Sequence, residues 1–156
     1  MTDSRNTKLL RRVAIFRYEL RQFLRFSERA ARACGVTPQQ HQMLLGVAGF
    51  TGQGWATISE LAEFLQERHN AVVSLVARAA RRGLIRKEQN PSDHRVVRVY
   101  LVPKGTRLLQ ELTRLHQREL RRFRLGLTNI PIRLEPIYKE RDNAIAGKRK
   151  LTPSGR

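Results

Sequence analysis

The chain has 156 residues, 40% of them hydrophobic, with 31 Lys and Arg against 13 Asp and Glu and a formal net charge of +18. That is one domain's length with enough apolar side chains for a core, which excludes a purely disordered basic tail, and the single cysteine excludes an internal disulfide framework. Twenty-five of the cations are arginine, and a surface so strongly self-repelling points to an anionic partner, either nucleic acid or an anionic membrane.

The charge is unevenly distributed. Residues 36–67 hold no cation and three anions, whereas residues 68–107 hold ten cations against two anions. No apolar run approaches the roughly 18 residues of a membrane span, and residues 1–8 lack the apolar centre of a secretory signal. The expectation is a cytoplasmic chain with no membrane segment.

Residues 1–35 read as one long helix. Leu9, Val13, Phe16, Leu20 and Phe23 step by four and three, an apolar stripe of the coiled-coil type suited to a dimer. Arg17, Arg21, Arg25 and Arg29 make a second stripe at i,i+4, either a solvated face or a contact with an anion. Gly35 is the expected stop. Thr37-Pro38-Gln39-Gln40 then has the form of a capping box with proline at the first helical position. The helix it starts buries Met43, Leu44 and Val47, and Gly49, Gly52 and Gly54 break it before Trp55 begins a new unit.

Thr57 heads a short helix over residues 58–65, with Glu60 placed to complete a second capping box. After a turn at residues 66–68, a longer helix over 69–82 turns Val72, Leu75, Val76 and Ala79 inward and ends at Gly83. Residues 84–89 and 96–102 read as strands joined by the polar hairpin Asn90-Pro91-Ser92-Asp93-His94-Arg95. Pro103 ends the second strand. A further amphipathic helix over 106–123 carries Leu108, Leu112, Leu115 and Phe123 on one side. The tail is interrupted by Pro131, Pro136 and Pro153 and ends near the basic cluster Gly147-Lys148-Arg149-Lys150, with order expected to about residue 146.

This order of elements is a winged helix-turn-helix, so the fold class is mainly α with a small antiparallel β wing and flanking dimerisation helices. The division is a dimerisation helix at 1–35, a DNA-binding unit at 36–104, a helical dimerisation region at 105–146 and a basic tail at 147–156. Two helices locked through their apolar faces leave the outer face of the second free for a major groove. With Val72 at the centre of the buried side, Asn70, Ser74, Ala77 and Arg81 lie opposite, and Ala71, Val73 and Arg78 lie on the flanks. Asn70 suits an adenine edge, Arg78 a guanine edge or phosphate, and Val73 a thymine methyl, while Ser74 permits close approach. His69 stands at the start of the same helix.

From residue 57 to 120 the chain resembles the MarR family of bacterial transcription regulators, through residues 69–83, Leu84-Ile85-Arg86-Lys87-Glu88, Pro91-Ser92-Asp93-His94-Arg95 and residues 99–105. The resemblance implies a homodimer whose first and last helices interlock. It implies that Arg95 of an Asp-x-Arg wing motif enters the minor groove, with Asp93 orienting its guanidinium. It also implies a small aromatic ligand as a candidate partner, bound between the dimer helices and the winged unit. Pro131 and Pro136 depart from the proline-poor closing helix of that family.

Little else suggests chemistry. His41, His69, His94 and His116 have no zinc-like spacing and read as surface or groove-facing residues. No phosphate loop and no set of nucleophile, base and orienter is recognisable, so the expectation is no enzyme, no metal and no cofactor. Cys34, with Arg32 close by to lower a thiol pKa, is a candidate redox or ligand-linked residue, against simple packing. The function expected is a sequence-specific, dimeric, double-stranded DNA-binding transcription regulator on an inverted repeat. The alternative is an arginine-rich protein that coats DNA or RNA without sequence choice.

Overall fold

The structure is a computed structural model that describes residues 4–128. Helix α1 (Ser4–Ala33) is followed by α2 (Pro38–Leu45), strand β1 (Trp55–Thr57), α3 (Ile58–Leu65), α4 (His69–Arg81), strands β2 (Ile85–Asn90) and β3 (Asp93–Leu101), and α5 (Pro103–Thr128). Both capping boxes form as their sequences demand. Thr37 accepts the Gln40 amide while Gln40 accepts the Thr37 amide, and Thr57 and Glu60 repeat the arrangement. Each satisfies two amides that a helix start would otherwise leave unpaired.

The core lies where α2, α3 and α4 meet the sheet and α5. Met43, Leu44, Val47, Leu61, Val72, Val76, Ala79, Leu84, Val99 and Leu112 are buried there. Gly46 allows the close approach of α2 to α3, because a Cβ in its place would lie 2.8 Å from Phe64 Cδ1. Gly83 closes α4 with a φ of 67°, a conformation that costs other residues more. The sheet is antiparallel in the order β1-β3-β2.

Three details of the backbone differ from the sequence expectation. The chain does not break at Gly49 but passes through a π-helical turn over Gly46–Phe50 first. Strand β1 is three residues long, too short for any periodicity to announce, and exists because β3 pairs with it. The hairpin is also tighter than the polar run suggests. Asn90 pairs with Asp93 beside a bulge, Asn90 Oδ1 accepts the Ser92 amide at 3.1 Å, and β3 starts at Asp93. The tail beyond residue 128, with its prolines and basic cluster, lies outside the described residues.

Two of the four histidines are not on the surface. His41 is 2% exposed and His116 8% exposed, and their ring centroids are 4.8 Å apart between α2 and α5. His116 Nδ1 lies 2.6 Å from the Leu112 carbonyl, so that nitrogen carries the proton and donates. Its Nε2 then accepts from the Ser27 hydroxyl of α1 at 2.8 Å. This also shifts the inward face of α5. Leu109, Leu112 and His116 are buried, while Leu115, expected inside, is exposed. Spacing alone cannot show that a histidine with two hydrogen-bond partners displaces a leucine from a core position.

Helix α1 packs on α2 and α5 through its second half, where Phe23 meets Phe123 with centroids 5.6 Å apart. Its first half stands clear, with Leu9 57%, Leu10 60% and Val13 47% exposed. Among the described residues nothing covers this apolar surface.

Burial, and secondarily the neighbouring His116, depresses the His41 pKa from 6.5 to about 4. The folded state therefore resists a proton that the unfolded state accepts. This contribution to stability is fully present above pH 6.5 and is lost as the pH falls toward 4. The loss should be on the order of 2–3 kcal/mol. Urea midpoints measured between pH 7.5 and 4.5 should decline, and His41→Phe should flatten the decline. An equal decline in the variant would place the titration elsewhere.

Candidate nucleic-acid interface

Helix α4 is held by one face. Val72 and Val76 are 1% exposed and Ala79 is fully buried, so rotation of the helix about its axis would expose core residues. The opposite side is free. His69, Asn70, Ala71, Val73, Ser74 and Arg78 are all exposed, with Val73 at 44%. An exposed valine flanked by asparagine and serine matches a surface that meets base edges and methyl groups. The N-cap residue Arg68 makes no side-chain cap, which leaves the first amides of α4 open to an anion such as a phosphate.

The wing places a second group of residues beside this face. Ile58, Val73, Val76, Ala77, Lys87, Gln89 and Val97 line one cleft between α4 and the strands, so β2 and β3 flank the helix. Asp93 and Arg95 stand at the start of β3, at the hairpin end and exposed. In the free protein Asp93 acts on the backbone of Arg95. Asp93 Oδ1 accepts the backbone amide of Arg95 at 3.0 Å. The carboxylate fixes the chain from which the arginine projects, and the guanidinium remains free to reach out.

The electrostatics agree with an anionic partner. Among the described residues the ion pairs are Arg32–Glu28, Arg86–Glu88 and Arg122–Glu119, all involving exposed arginines. Arg68, Arg78, Arg81, Lys87 and Arg95 join none of them and surround the free face of α4. Arg68 and Lys87 escaped the sequence reading. Arg68 sits in a turn whose role as helix start shows only in the backbone, and Lys87 takes its direction from the register Lys87↔Val99. Behind the sheet, Arg86 covers Tyr100 at 4.3 Å and Arg98 covers Trp55 at 4.5 Å, so these two cations are occupied by aromatic faces.

On its other flank α4 borders a cleft of about 490 Å³ toward α1 and α2. Its walls include Leu24, Ser27 and Glu28 of α1 and Ala71, Ser74 and Arg78 of α4. Cys34 lines neither cleft and is half-buried after the end of α1. Burial, with Glu111 adding to it, pushes its thiol pKa up rather than down, and Arg32 is turned to Glu28 at 3.6 Å. That is the environment of a packed thiol and not of an activated thiolate.

Residues 35–96 match the sequence model of the MarR family. Over that stretch the chain is similar to the MarR family, and the structure there is a winged helix-turn-helix. The curated relative YsmB of Bacillus subtilis (strain 168), an HTH-type transcriptional regulator, is 31% identical over 86 residues. That match spans 55% of this chain and 57% of the relative, so the chain spans little more than half the length of the curated protein it matches. A solved MarR family transcription regulator superposes with a TM-score of 0.67 at 23% identity, covering 94% of this chain and 91% of that one. A point mutant of S. aureus MepR bound to an oligodeoxyribonucleotide superposes with a TM-score of 0.59 at 18% identity, covering 90% and 97%. At such identities the superpositions establish a shared fold. The shared fold extends over α1 and α5, well beyond the matched segment.

The Asp93 geometry gives a direct test. Asp93→Asn keeps an oxygen for the Arg95 amide and should bind duplex DNA within about twofold of the parent, whereas Asp93→Ala should lose roughly 0.5–1.5 kcal/mol, the worth of one hydrogen bond. Arg95→Ala should lose about 1–3 kcal/mol, more on A·T-rich flanks where the minor groove is narrow. Equilibrium binding to flank-matched duplexes measures all three. If Asp93→Asn is as damaging as Asp93→Ala, the carboxylate charge matters, and the backbone role is wrong.

Proposed function

We propose that this protein is a dimeric, sequence-specific, double-stranded DNA-binding transcription regulator that reads an inverted repeat in the cytoplasm. The observation that carries the reading is the exposed face of α4, rigidly held from behind, with unpaired cations around it and an arginine-tipped wing beside it. Base-edge readers such as Asn70 are superfluous to a protein that only neutralises phosphates. The oligonucleotide bound by the MepR mutant, a protein of the same fold, supports the choice of DNA.

Helix α1 supports the dimer. Its uncovered stripe and the exposed Leu115 and Leu120 of α5 are apolar surfaces that a second copy would bury, and the two-fold axis would then present two α4 helices. Response to a small ligand is favoured over response to an oxidant. A molecule in the 490 Å³ cleft would touch a dimerisation helix and the recognition helix together, whereas the Cys34 thiol is disfavoured as a thiolate.

Selection of bound duplexes from a random library at about physiological salt should enrich two half-sites about 10 bp apart, centre to centre. Sedimentation at micromolar concentration should give the dimer mass, and Leu9→Glu should shift it toward monomer. Affinity should fall with salt at a log–log slope of about −5 to −9, for six to ten phosphates. Recovery of unrelated duplexes with the same salt slope would instead favour the coating protein.

A further inference from the structure

The C-terminal end of α4 is tied to the rest of the molecule through one side chain. Arg82 Nη2 donates to the Gly35 carbonyl, just past the end of α1, at 2.6 Å. Arg82 Nη1 donates to Gln40 Oε1 of α2 at 2.8 Å. That oxygen also accepts the Thr37 amide at 3.1 Å, so the arginine is wired into the capping box that starts α2. The backbone of the same residue is held from the far side, where Lys104 Nζ in the first turn of α5 donates to the Arg82 carbonyl at 3.0 Å. One residue therefore joins the ends of α1 and α4 to the beginnings of α2 and α5.

The chemistry suits a positional role. The guanidinium meets two neutral oxygens 47 and 42 residues away in sequence. A planar fork with fixed donor directions can satisfy both acceptors only at one relative placement of the elements that carry them. Gln40 is 3% exposed and cannot turn to follow a displaced partner. On the proposed reading α1 and α5 belong to the dimer and α4 to the DNA, so this junction is where dimer geometry is transmitted to the recognition helix.

We propose that Arg82 is a positioning residue that sets the orientation of α4 relative to α1 and α5, and thereby the half-site separation the dimer accepts. The proposal rests on the DNA-binding reading but makes a different demand. Wild-type protein, Arg82→Ala and Arg82→Lys are compared on a duplex with one half-site and on duplexes whose two half-sites are moved apart or together one base pair at a time. Both variants should bind the single half-site within about twofold of wild type, since the face of α4 is untouched, and the salt slope should not change. Their preference for the best spacing should drop about tenfold or more. Lysine should not rescue it, because one ammonium cannot replace the fork.

A second measurement is independent of DNA. Spin labels at exposed Arg25 of α1 and Arg81 of α4 should give a single narrow distance distribution in the parent and a broad one in both variants, at thermal midpoints still above the assay temperature. Lys104→Gln, which removes the other tether, should broaden it to a lesser degree. Unchanged distributions would overturn the proposal, as would equal losses on single and paired half-sites, which would make Arg82 a phosphate contact or a simple fold support. Wild-type protein with no spacing preference would refute the DNA reading itself, and the spin-label distances would then decide the role of Arg82 alone.

Discussion

Everything this molecule offers to a partner depends on burial of one face of α4. Val72, Leu75, Val76 and Ala79 fill the space between α2, α3 and the sheet, and their removal from water holds the helix at a fixed rotation. Burying side chains of this size contributes about 1.5–3 kcal/mol each for the larger ones, enough to make rotation of α4 prohibitive. A rigid back is what gives the exposed front a defined pattern. Asn70, Val73, Ser74 and Arg78 are worth reading as a set only because they cannot exchange places with the core residues between them.

The second constraint acts at the junctions. Beyond its apolar core, α4 is tied at its C-terminal end by Arg82 to the end of α1 and the start of α2, while the His41–His116 pair and Ser27 tie α1, α2 and α5 to one another. Apolar contacts tolerate small sliding, whereas a forked guanidinium or a doubly bonded imidazole does not. The molecule thus combines an α4 fixed in rotation by its core with an orientation set by a few hydrogen bonds. The cleft between α1 and α4 lies beside those bonds, and an occupant there would act on the same geometry.

Much of this was legible in the amino-acid sequence. Thr37 with Gln40 and Thr57 with Glu60 announce helix starts because a capping box is a local device that needs only four residues. The inward face of α4 was readable because Val72, Leu75, Val76 and Ala79 repeat with the period of a helix. What escaped depends on partners distant in sequence. Strand β1 exists only against β3, Lys87 gains its direction from the register of the sheet, and His116 is a core residue because Ser27 lies 89 positions earlier. Arg82 looks like one more cation of an arginine-rich chain until Gly35 and Gln40 stand beside it. Even the Asp-x-Arg pair, plain as a motif, did not disclose that Asp93 grips the backbone amide of Arg95.

The central claim is that α4 meets base edges in a major groove while the wing enters the adjoining minor groove. Methylation protection on a selected duplex separates the two, because the reagent reports guanine N7 in the major groove and adenine N3 in the minor groove. The account predicts guanine N7 protection in two tracts about one helical turn apart, each flanked outward by adenine N3 protection that disappears with Arg95→Ala while the guanine signal persists. Protection of neither base position, with the phosphate backbone alone shielded, would contradict it.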